Sequence, residues 1–116
     1  MTTLYGIPNC NTVKKARQWL LDAGVDHTFH DFKKLGAPAD RLAAWADELG
    51  LAKIVNRQGT TWRGLSDEDQ ARAEARESAI ALMQDKTSVI KRPVLEHDGK
   101  ILAGFSEAAY AEAFQR

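Results

Sequence analysis

Cys10 is the only cysteine in a chain of 116 residues, and it stands in Leu4-Tyr5-Gly6-Ile7-Pro8-Asn9-Cys10-Asn11-Thr12-Val13-Lys14-Lys15, where a short apolar run stops, turns and gives way to a helical pattern. Backbone N–H groups at a helix start have no intrahelical partner and carry a partial positive charge. A cysteine placed there is stabilised as thiolate, the form that attacks sulfur and other electrophiles, and Lys14 and Lys15 add to the same field. A free cysteine is more often a small buried hydrophobe. The asparagines on either side of Cys10 and the two lysines just after it speak against that plainer role. The other groups able to do chemistry are sparser: His27, His30 and His97 are scattered and, with one cysteine, make no closely spaced zinc quartet, so no metal is expected.

The elements that must position Cys10 follow from periodicity. Thr3 to Ile7 reads as a strand, and Asn11 to Ala23 as a helix with Val13, Ala16, Leu20 and Ala23 on one face and Gly24 as its stop. Val25 to Phe32 alternates as a second strand, which an intervening helix makes parallel to the first. Arg41 to Leu49 carries Leu42, Trp45, Ala46 and Leu49 at helical spacing, with Gly50 beyond. Leu51 to Thr87 contains no strand pattern and reads as short helices, with Ser66 and Ser78 as N-caps and Ile80, Leu82 and Met83 buried. The charges from Asp67 to Glu77 read as a solvated helix face. Asp98-Gly99 between two apolar runs marks a hairpin, and Ser106 caps a last helix, Glu107 to Phe114, whose Ala109, Tyr110, Ala113 and Phe114 face inward. The resulting order is βαβ, helices, ββα.

Composition bounds what such a chain does. Hydrophobic residues make up 44% and charged residues 28%, enough for one core, and a single domain over residues 1–116 is expected, with a helical insert over about 37–88. Sixteen basic and sixteen acidic side chains cancel, so there is no nucleic-acid footprint. No apolar stretch is long enough for a membrane span, the first residues show no signal-peptide pattern, and one cysteine makes no internal disulfide. A cytoplasmic monomer is expected.

Strand, cysteine at the following helix start, helical insert, then a proline leading into a hairpin and a final helix is the order of a thioredoxin-like fold with a mixed four-stranded sheet. With Tyr5-Gly6-Ile7-Pro8-Asn9-Cys10-Asn11-Thr12, Lys14-Lys15-Ala16, Phe29-His30-Asp31-Phe32, Asn56-Arg57-Gln58-Gly59-Thr60-Thr61-Trp62-Arg63 and Ile90-Lys91-Arg92-Pro93, the chain resembles the arsenate reductase (ArsC-like) family, and most its short branch of thiol reductases. The resemblance implies that Cys10 is the nucleophile, that Arg57 and Arg92 face it and hold an oxyanion or carboxylate through paired hydrogen bonds, and that Pro93 is cis beside the sulfur. It also implies that Asn9, Asn11, Thr12 and Lys14 border the site, although Asn11 serves equally well as the helix N-cap.

Two departures from the family pattern narrow the activity. The arsenate-reducing members carry a further arginine after the hairpin, and Ile101-Leu102-Ala103-Gly104-Phe105 has none. Val13 stands where the dithiol members and the polymerase-binding redox regulators have a second cysteine. A tyrosine-phosphatase loop is excluded, because Arg17 comes one position too late. The expected activity is therefore a single-cysteine thiol reductase acting on a disulfide or small oxyanion, with no bound cofactor and with glutathione or another small thiol as co-substrate. The alternatives are an arsenate reductase in which Arg63 fills the missing place, a redox-responsive regulator that binds RNA polymerase, and a scaffold with a vestigial cysteine.

Overall fold

The computed structural model describes residues 1–115. They divide into two compact units: one formed by residues 1–35 with 92–115, the other by Gly36–Lys91.

The first unit carries the sheet. β1 (Thr2–Gly6) leads through a short loop into α1 (Asn11–Asp22), and the chain returns along β2 (Thr28–Asp31), parallel to β1. β3 (Val94–His97) pairs antiparallel with β1, and β4 (Lys100–Ala103) antiparallel with β3, giving the order β2-β1-β3-β4. α8 (Glu107–Phe114) closes the unit. The fold is α/β and thioredoxin-like, with a mixed four-stranded sheet. α1 forms because Val13, Ala16 and Leu20 fall on one stripe, which is fully buried, and it ends where Gly24 takes φ of 70°. Leu4 and Leu95 from the sheet, Ala16 and Leu20 from α1, and Tyr110 from α8 form the core, with Trp19, Phe29, Leu102, Phe105 and Phe114 packed around it. The Asp98-Gly99 turn has positive φ at both residues, as a two-residue hairpin requires, and Ser106 caps α8 by accepting the Ala109 N–H at 3.1 Å.

β2 is shorter than the alternation from Val25 to Phe32 suggests. The Val25 N–H is spent on the Leu20 carbonyl as α1 terminates, and the Val25 carbonyl is taken by His27 Nδ1. At the other end Asp31 accepts the Lys33 N–H at 2.8 Å, which turns Phe32 out of the strand and into the short helix α2 (Phe32–Leu35).

The second unit is helical: α3 (Ala39–Leu49), α4 (Leu51–Ile54), α5 (Thr60–Arg63), α6 (Asp67–Ala71) and α7 (Arg76–Asp85), with 3₁₀ turns at Arg72–Glu74 and Thr87–Val89. α3 buries Leu42, Trp45 and Ala46, and α7 packs on it with Ala79, Leu82 and Met83. Ile80 is only half-buried, since Ala79 holds the inward position. Ser66 caps α6 through the Asp69 N–H, as its sequence context suggests, but Ser78 is not a cap. It lies inside α7, and its hydroxyl donates back to the Arg72 carbonyl at 2.6 Å. An isolated antiparallel bridge ties Val55, just after α4, to Ile90 near the end of this unit, and it is too short to leave an alternating pattern in the sequence.

Candidate active site

Strand register decides which segments meet. Tyr5 lies opposite Val94, Gly6 opposite Asp31, and Val94 opposite Ala103, so the loop after β1, the residues before β3 and those after β4 all leave the sheet at one end. The Gly104 N–H donates to the Pro93 carbonyl at 2.8 Å, which fixes the last two to each other. Cys10 and the Arg92-Pro93 pair are therefore brought to the same end of one sheet by segments far apart in the chain.

Cys10 occupies the N-cap position of α1, with φ of −94° and ψ of 126°, and its carbonyl accepts the Lys14 N–H at 2.9 Å. Its side chain is part-exposed and caps nothing, which leaves the sulfur available at the positive end of a twelve-residue helix. No acidic residue stands in the first turn. Asn11 is the first helical residue, so the cap alternative goes to Cys10 instead. Asn9, Asn11, Thr12 and Lys14 are all exposed around the helix start, and Thr12 lines a groove of about 600 Å³ with Trp19, Phe105 and Ser106. The start of α1 is held against β1 by contact: a methyl group on Gly6 would meet Val13 Cγ2 at 2.8 Å.

The Arg92-Pro93 peptide bond is cis. Arg92 Nη1 is buried and has no hydrogen-bond partner among the described residues. A buried guanidinium N–H left unpaired is unfavourable, and such a donor is satisfied when an anionic or carbonyl oxygen arrives. Arg57 belongs to the helical unit. There its side chain, 46% exposed, sits 3.9 Å from Glu74 and over the Trp62 ring at 5.2 Å. Arg63, also in that unit, donates to the Gln58 carbonyl at 2.7 Å.

Sequence reasoning overlooked Arg17 as a candidate for binding. Its guanidinium lies 4.2 Å from the Phe29 ring centre, across α1 and β2. Spacing from Cys10 was the available signal: seven residues is two helical turns, which returns to nearly the same helix face.

The family model described as the ArsC family matches residues 5–113. The chain belongs to the ArsC family. The solved structure of the YffB protein is 44% identical to this ArsC-family chain, covers 97% of it and 98% of its own length, and superposes with a TM-score of 0.91. An arsenate reductase (ArsC) related protein from Brucella melitensis is 43% identical, with coverage of 99% and 95% and a TM-score of 0.73. Among curated relatives, the global transcriptional regulator Spx of Staphylococcus epidermidis is 23% identical over 110 residues, 92% of this chain and 82% of its own. Arsenate-reductase-related proteins thus share this fold, and regulators are among the family's members.

Proposed function

We propose that this ArsC-family chain is a single-cysteine thiol-dependent reductase that uses glutathione as co-substrate. What supports the reading is that two segments leave the sheet at the same end, one carrying a part-exposed Cys10 on a helix N-terminus and the other Arg92, whose Nη1 is buried without a partner among the described residues. Sulfur nucleophile and oxyanion or carboxylate receptor are the two parts a thiol reductase needs.

In the proposed cycle the Cys10 thiolate attacks the glutathione sulfur of a mixed disulfide, forming Cys10–S–S–glutathione and releasing the substrate thiolate, which takes a proton from solvent. A second glutathione, as thiolate, attacks the glutathione sulfur held on Cys10, releasing oxidised glutathione and regenerating the Cys10 thiolate. The sum of the two exchanges converts the mixed disulfide and one glutathione into the substrate thiol and oxidised glutathione, and no second protein cysteine is required. Arg92 holds a carboxylate of the glutathione unit carried on Cys10. Arsenate is the less favoured substrate, because β4 and the residues after it, Ile101 to Phe105, supply no arginine.

The test is the release of oxidised glutathione from the mixed disulfide of glutathione and 2-mercaptoethanol. Wild type turns over, Cys10→Ser does not, and the Cys10–glutathione adduct is trapped by mass spectrometry when free glutathione is withheld. A rate no faster than uncatalysed exchange, or a Cys10→Ser variant as active as wild type, overturns the reading.

The likeness to Spx favours a second reading, a redox-responsive regulator that binds RNA polymerase. Retention of RNA polymerase subunits by the immobilised protein, altered by oxidation of Cys10, is the result that would establish it.

A further inference from the structure

A groove of about 340 Å³ lies beside the reactive loop, lined by Pro8, Arg17, Phe29, Asp31, Lys34 and Leu35. Its charge is lopsided. Arg17 and Lys34 carry no ion pair among the described residues, while Asp31, the one acid, is 9% exposed and accepts the Lys33 N–H. The Arg17 guanidinium lies over the Phe29 ring at 4.2 Å from its centre, a contact made through its face that does not use its in-plane N–H groups. Pro8 is exposed two residues before Cys10, and Leu35 is 67% exposed on the groove's other side.

We infer that this groove is the carboxylate-recognition subsite for the resolving thiol, with Arg17 and Lys34 selecting glutathione over thiols that lack carboxylates. The distances suit it. Arg17 lies on the Cys10 face of α1 and about 10 Å further along the axis at 1.5 Å per residue. An extended tripeptide spans about 10 Å from end to end, so a ligand with its sulfur at Cys10 has a terminal carboxylate within reach of Arg17. Two cations match the two carboxylates of glutathione, and Phe29, Pro8 and Leu35 give its backbone an apolar floor. The choice of glutathione rests on the reductase reading above; the cationic groove stands independently of it.

Binding to the Cys10→Ser protein, measured by titration with reduced glutathione and with glutathione diethyl ester, separates the two. The parent binds glutathione about tenfold tighter than the ester, two exposed ion pairs being worth that much together, and the preference shrinks with added salt. Arg17→Gln combined with Lys34→Gln abolishes the preference. Lys34→Glu, a change at an exposed position that leaves the Arg17–Phe29 contact intact, reverses it. A preference that survives both variants overturns the subsite, whatever the turnover assay gives. Loss of the preference in a protein that proves inactive as a reductase would retain the subsite and discard only the catalytic reading.

Discussion

Arg92 shows at the scale of one residue how a binding role is separable from a stabilising one. Its buried Nη1 satisfies nothing in the protein as it stands, so the folded chain holds a desolvated donor in readiness for a ligand. Arg92→Met keeps the aliphatic stem and removes that donor. The expected outcome is a melting temperature equal to or above that of wild type, together with turnover lower by at least about tenfold, the scale of one charge-assisted hydrogen bond. A calorimetric scan and a rate measurement on the same preparation check it. Cys10→Ser is the companion case, in which fold is kept and turnover is lost, because the N-cap position tolerates serine well.

At the scale of elements, the β1-loop-α1 junction depends on the absence of a side chain at Gly6. Val13 packs into the space a Cβ would need, so Gly6→Ala forces the strand and the helix apart at the point where Cys10 is presented. The expected loss is about 1–3 kcal/mol of stability by urea unfolding, as for other overpacked sites. Iodoacetamide labelling of Cys10 should change rate in the same variant. The elements themselves were largely readable. The α1 stripe, the Asp98-Gly99 hairpin and the Ser106 cap follow from local rules, and each lies where its residues indicate. What misled was competition for backbone groups: Val25 and Phe32 alternate properly for a strand, but capping of α1 and of α2 claims them first. Ser78 shows the same thing inside α7, where a hydroxyl that looks like a cap bonds backwards instead. Of the candidate site, Cys10 was legible from its junction, whereas Arg92 and Pro93 were recognisable through family resemblance. The Arg17–Phe29 apposition needs the packing of α1 on β2, which no local pattern encodes.

For the molecule as a whole, Tyr110 links the core to alkaline stability. It is fully buried among Trp19, Phe105 and Phe114, and its hydroxyl has no partner among the described residues. Burial pushes its pKa well above the ordinary tyrosine value near 10. The neutral phenol is the form the fold accepts, while the unfolded chain ionises at the ordinary value. Stability from this source is complete below pH 10 and declines above it, by about 1.4 kcal/mol per pH unit until the folded phenol itself ionises. Tyr110→Phe removes both the stranded hydroxyl and this dependence. Its expected gain is about 1–2 kcal/mol at neutral pH, with a shallower fall in unfolding midpoint above pH 10.

The sheet unit is written in two separated stretches of the gene, and every strand pairing lies within them: Thr2 opposite His97 as much as Thr3 opposite Thr28. Length changes between Leu35 and Arg92 therefore leave strand alignment untouched. That interval is the place where evolution, or a protein engineer, has latitude to graft new sequence while the sulfur keeps its seat.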